Sequence, residues 1–246
     1  MSCPHLKKFV ISICFATVLS GCATSYRKSP DFSTNIQAIK TIAVLPPKVE
    51  VYKVTAGGVR ELIDEWSDLA KAHMEKALKE HFARAYGFEV RFVTENEFTG
   101  EHKALWKSQM ALYEAVAQSA LLHAYPGPHA FPDKIKTFDY TLGPQTQEFA
   151  SALSADSLLF VYGYDHEATA GRVALMFWDA LLSGVTGTMI IPTNPCMLSL
   201  GLVNGRTGQV EWFNITHSEN EYDFRKEKHV DKLIEWLTRD FLKEKK

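Results

Sequence analysis

Asp165, His166 and Glu167 stand together at the end of the most continuous apolar run in the chain, and His217 ends a second β-prone run. Carboxylates and imidazoles at the carboxyl end of a buried strand are the residue types that hold a zinc ion and its activated water. Asp165, His166 and His217 therefore form one candidate set, that of a metal-dependent hydrolase. Successive residues of a strand point to opposite faces, so three neighbours cannot all reach one ion. A polar strand end is the simpler account. Gly57-Gly58 follows another strand-like run but lacks the Gly-Lys-Ser/Thr of a phosphate loop. Glu61, Asp64 and Glu65 would repel phosphate at the helix expected there, so no nucleotide is expected. The chain has no Gly-x-Ser-x-Gly elbow and no His-Glu-x-x-His helix.

A different chemistry is written at Leu19-Ser20-Gly21-Cys22. Lys7 and Lys8 supply a positive segment, Phe9 to Leu19 an apolar one, and Gly21 a small residue before a cut. That layout is a secretory signal over residues 1–21, too short for a spanning helix. Cys at the cut marks a lipid-attachment box. Its thiol would carry a diacylglycerol and its freed amine another acyl chain, and several chains hold a bilayer where one binds only marginally. The covalent lipid is the only added group expected, with no separate cofactor. Residues 22–38, with Ser25, Arg27, Lys28, Ser29, Pro30, Ser33 and Thr34, read as a polar tether. The remainder, 39–246, has the length of one domain.

Composition agrees with a globular exported domain: 46% hydrophobic, 23% charged, net charge -2. A clustered basic excess, the footprint of nucleic-acid binding, is missing. Cys3 and Cys14 would leave with the signal, so Cys196 is the one thiol left beside Cys22. It is expected to be a small buried residue, with an intermolecular bridge as the alternative.

The elements alternate. Thr41–Leu45 is a short apolar strand broken by Pro46-Pro47, and Val49 and Val51 suggest that it resumes. A helix is expected after Gly58, with Leu62, Trp66, Leu69, His73 and Ala77 on its inner face and Ile63, Ala70 and Met74 beside them. Phe88–Phe92 alternates as a strand. Helices are expected over 104–124 and after Gly143-Pro144, and a buried strand over Ser157–Tyr162. Asn204–Gly208 lies between β-prone runs and predicts a hairpin. Trp212 should face the helices, a pattern in which Phe213 has no place. A last helix from about His229 buries Val230, Leu233, Ile234, Leu237 and Phe241. The expected fold is α/β (α+β), a single mixed sheet with helices packed on it.

Three blocks carry a resemblance. Thr41–Pro47 resembles the opening "IAVLP" strand of the group that joins the curli-secretion lipoprotein to the TolB amino-terminal domain. Ala155-Asp156-Ser157-Leu158-Leu159 resembles its "A-D-x-L-L" junction, and Leu200–Trp212 its "L-V-D-x-x-T-G-x-V-x-W" hairpin, with Asn204 where Asp is usual. The resemblance implies a small sheet domain, usually non-enzymatic, that forms oligomers at the outer membrane. In Gram-negative lipoproteins Asp after the lipidated Cys retains the protein in the inner membrane. Ala23 stands there, which implies an outer-membrane address facing the periplasm.

Between the buried strand and the hairpin lies an apolar insertion, about residues 169–193, containing Leu175, Met176, Phe177, Trp178, Leu181 and Leu182. A membrane span is not expected, because Asp179 at its middle would cost about 2.5–3.5 kcal/mol and one crossing would split the hairpin from its sheet. Two readings stay open: a helix and loop buried on the sheet, or a subunit-interface or lipid-contacting element. The function expected is a lipid-anchored, non-enzymatic oligomeric scaffold or component of an envelope assembly or secretion system. Its partners would be the membrane, copies of itself or envelope proteins. The metal-dependent hydrolase is the alternative.

Overall fold

The computed structural model describes residues 26–83, 87–186, 191, 194–219 and 221–241. The signal, the attachment box and Cys22 lie outside them. The strands are β1 (Arg27–Lys28), β2 (Thr41–Val44), β3 (Lys48–Val54), β4 (Arg60–Leu62), β5 (Glu89–Phe92), β6 (Ser157–Ala168), β7 (Pro195–Asn204) and β8 (Val210–Glu219). The helices are α1 (Phe32–Ala38), α2 (Asp64–Phe82), α3 (Gly100–His123), α4 (Pro132–Lys136), α5 (Gln145–Ala152), α6 (Ala170–Thr186) and α7 (Glu227–Thr238).

The strands form one mixed sheet in the order β1-β8-β7-β6-β2-β5, as expected for this fold class. β2 runs parallel to the first part of β6, with Ile42 opposite Ser157, and β3 parallel to its second part, with Val54 opposite Ala168. The strand expected to resume after Pro46-Pro47 does so. Proline has no N–H to give a ladder, and the break lets one edge of β6 serve two strands.

Both faces of the sheet are covered. One core joins Val49, Val51, Val161, Leu200 and Trp212 to α1, α2 and α7. The other joins Leu158, Phe160, Met197 and Phe213 to α3 and α5. Trp212 is buried as expected. Phe213 finds its place on the opposite face, because a sheet sandwiched between helices buries consecutive residues. On β7, Gly201 admits Tyr113 of α3, since a Cβ there would lie 2.4 Å from Tyr113 Cε2.

The hairpin is held by its turn chemistry. Asn204 Oδ1 accepts from the N–H groups of Arg206 (2.9 Å) and Thr207 (3.0 Å). Its amide donates to Glu211 Oε1 over 2.9 Å, and Asn35 donates to the same oxygen over 2.6 Å. Glu211 is buried, which pushes its carboxyl above the usual range. An aspartate at 204 would keep the turn and lose that donor.

Three expectations are corrected. The polar tether over 22–38 does not hold for its second part. Arg27 and Lys28 pair with Phe213 and Trp212, and Phe32 and Ile36 of α1 are buried. Phe32, Ile36 and Ile39 recur at helical spacing, and that apolar stripe outweighs the polar residues around it. The helix after Gly58 begins at Asp64. Gly58, at φ 81°, closes a turn from β3 into β4 instead. Leu62 and Leu69 are exposed, and the buried face of α2 is Ala70, Met74, Ala77 and Leu78. Of its two leucines Leu78 is buried and Leu69 is not, and Ala70 takes the inner place beside Leu69.

Candidate functional site

α6 carries the expected interface residues, and its polarity is inverted. The two ionic side chains of the helix, Arg172 and Asp179, are 6% and 8% exposed. Phe177 and Trp178 are 60% and 61% exposed, with Val173, Leu175, Leu181 and Leu182 also turned outward. Met176 is half-buried. Residues 172, 176 and 179 fall on one stripe of a helix, so the inner stripe is mostly polar and the rest apolar. A helix packed on a core has the opposite pattern. The reading of this helix as buried on the sheet is therefore overturned.

Its attachment is polar. Arg172 Nε donates to Asn194 Oδ1 over 3.0 Å, and the Ile191 N–H donates to Asp179 Oδ2 over 2.8 Å. Thr169 closes the first turn, with its carbonyl accepting from the Val173 N–H over 2.9 Å. The Ala56 methyl of the β3–β4 turn lies beside Gly171, and Gly58 beside the Arg172 guanidinium. Val59 of the same turn is exposed as well. Several large apolar side chains on one exposed helix face mark a contact with something else.

The hydrolase set does not converge. The Asp165 carboxylate turns to the α7 side of the sheet, where the Phe224 N–H donates to its Oδ2 over 2.8 Å. His166 turns to the other side, its ring 5.2 Å from that of Tyr164 and 5.4 Å from that of Tyr52. His217 is exposed on β8, two strands away, opposite Met197. Strand alternation separates Asp165 from His166, as the residue pattern requires.

A cluster that sequence reasoning missed lies beside Asp165. Candidate ligand atoms of Asp165, Glu167 and Asp223 lie within 4.8 Å of one another. Arg225 already sits among them. It donates to Glu167 Oε2 over 2.5 Å and to Asp223 Oδ1 and Oδ2 over 2.9 and 3.0 Å, with its guanidinium 4.5 Å above the Trp66 ring. Burial, with its carboxylate neighbours, pushes Glu167 up to about 8. Burial pushes Asp165 up to about 6, partly offset by the Phe224 N–H. Burial works the same way on Asp223, but the Arg225 hydrogen bonds hold it down to about 2. The cluster is an internal ion network with its own cation. His166 is held down to about 4 by burial and by Arg60 and Arg172. It borders a cleft of about 540 Å³ lined by Tyr52, Tyr162, Tyr164 and Glu114.

Cys196 is buried, its sulfur 3.1 Å from Ser218 Oγ, as expected for a small core residue. No described helix is long and apolar enough to cross a membrane.

No protein-family model matches the sequence, and no curated protein does. Solved structures with a similar course of chain include the PelC dodecamer from Paraburkholderia phytofirmans, at 9% identity over 86% of this chain and 94% of that one, TM-score 0.34. Lipoprotein GNA1162 from Neisseria meningitidis matches at 9% identity over 83% and 99%, TM-score 0.30. The LpoB C-terminal domain from Salmonella enterica matches at 10% identity over 78% and 96%, TM-score 0.27. Values this low carry no role over to this chain.

Proposed function

We propose that this chain is a lipid-anchored envelope protein, held at the outer membrane through Cys22 and facing the periplasm. In this reading it is a non-enzymatic oligomeric scaffold or a component of an envelope assembly or secretion system. The observation that carries the reading is α6, which offers its apolar residues outward and keeps its ionic ones inside. The carboxylates of Glu167 and Asp223, the cluster found with Asp165 among the described residues, are already engaged by Arg225. The reading calls for no cofactor beyond the covalent lipid.

Cys22 is both the modified thiol and the residue at the cut, so Cys22→Ala should leave an unprocessed, unlabelled precursor. Metabolic labelling with a palmitate analogue, followed by flotation of cell membranes, tests this. Label on the wild-type chain alone supports the anchor. Label that persists on the variant contradicts it.

A further inference from the structure

We propose that the outward face of α6 lies in the headgroup and upper acyl region of the bilayer that holds the lipid on Cys22. This deepens the reading above and rests on lipidation at Cys22.

The direction of the chain carries the inference. β8 runs from Val210 to Glu219, and Glu219 pairs with Pro195 at the start of β7. That end of the sheet is where β6 finishes at Ala168 and α6 begins at Ala170. β1 is antiparallel to β8, with Arg27 opposite Phe213 and Lys28 opposite Trp212. The residue preceding Arg27 is thus on the Glu219 side, and the chain enters the sheet from the end that bears α6. Cys22 stands five positions before Arg27, a reach of at most about 18 Å. Phe213 and Glu219 are six positions apart, about 20 Å of strand. At full extension the segment from Cys22 is long enough to bring the anchor to about the level at which α6 leaves the sheet.

The chemistry of the helix fits a lipid surface. Seventeen residues make a rod of about 25 Å, suited to lying along a membrane. Arg172 and Asp179 face the protein, so contact at headgroup depth buries no charge of the helix. Phe177 and Trp178 are aromatic residues of the kind that settle at the membrane interface. A bilayer accepts an exposed apolar helix face without a surface shaped to receive it. The lipid secures retention, and α6 adds orientation, fixing which face of the domain looks into the periplasm.

The test uses the full lipidated chain, reconstituted into phosphatidylethanolamine and phosphatidylglycerol vesicles. Leu181→Cys carries an environment-sensitive fluorophore. Arg206→Cys, on the exposed turn at the far end of the β7–β8 hairpin, carries the same label as a control. The expected result is blue-shifted emission at 181 and at least threefold stronger quenching by doxyl-labelled lipid than at 206. Equal quenching at the two sites on floated vesicles overturns the inference while the lipid anchor stands. Cross-linking between copies through Leu181→Cys without lipid quenching overturns it in favour of a second copy. Failure of the unlabelled wild type to float overturns the anchor reading, and the inference with it.

Discussion

Arg172 and Asn194 face each other across the whole insertion, with Nε donating to Oδ1 over 3.0 Å. The bond joins the start of α6 to the residue that precedes β7 and holds the polar stripe of the helix to the domain. Arg172→Met should release α6 while the sheet persists. Amide hydrogen exchange over residues 170–186 is expected to accelerate while β6 and β7 stay protected. Unchanged exchange in α6 would show that the pair does not hold the helix.

Trp178 and Trp212 should respond oppositely to truncation. Trp212 is buried, with its ring centroid 5.1 Å from that of Phe241, and Trp212→Ala should cost about 3–5 kcal/mol. Trp178→Ala, at an exposed site, should stay within about 0.5 kcal/mol of the wild type. Urea titrations of both variants check this. A large loss at Trp178 would place that ring in the core.

That contrast also marks how much the sequence could tell. The hairpin at Asn204–Gly208 and the strand broken at Pro46-Pro47 were legible because turn and breaker residues act locally. The α7 stripe was legible because Val230, Leu233, Ile234 and Leu237 leave one solution. Phe32 and Ile36 were missed because polar neighbours outnumber them in the stretch taken as a tether. The inner face of α2 is centred one position on from the expected stripe: Ala70 and Met74, expected beside it, are buried together with Ala77 and Leu78, while Leu62 and Leu69 are exposed. In the insertion, apolar composition alone did not separate core from surface. The informative signal was the pair of ionic residues seven positions apart, Arg172 and Asp179, which share one helix face. The carboxylate cluster was out of reach, since Asp223 and Arg225 meet Glu167 only through tertiary packing.

Asn204 tests the hairpin. Asn204→Asp keeps the turn acceptor but removes the donor to Glu211 and adds a like charge beside a buried carboxylate. A loss of about 1–3 kcal/mol is expected at pH 7, shrinking in acid as the carboxyls protonate. Thermal melts at pH 7 and pH 4 measure it, and an equal loss at both would exclude the electrostatic cause.

The Arg225 network sets a pH dependence. Glu167 is pushed up from 4.5 to about 8, so the fold holds its proton more tightly than the unfolded chain does. Its contribution is greatest below about pH 4.5, declines through the interval and is lost above about 8. Asp165, pushed up from 3.8 to about 6, acts in the same direction over a lower window. His166, held down from 6.5 to about 4, acts in the opposite direction, costing stability as pH falls below 6.5. Between pH 6.5 and 8 Glu167 therefore dominates this set, and stability should fall as pH rises. Glu167→Gln should flatten that slope in urea midpoints taken across the interval. A slope that the variant leaves intact would assign it to other groups.

Replacement of residues 169–193 by a short Gly/Ser loop tests the central claim most directly. β6 and β7 are adjacent and antiparallel, with Asp165 opposite Cys196, so a short loop can join them without α6. If α6 serves contact rather than folding, the variant keeps a cooperative circular-dichroism melt. It should also lose detergent dependence or oligomer size in sedimentation of the chain freed of its lipid. A variant that no longer melts cooperatively would contradict the account and make the insertion part of the core.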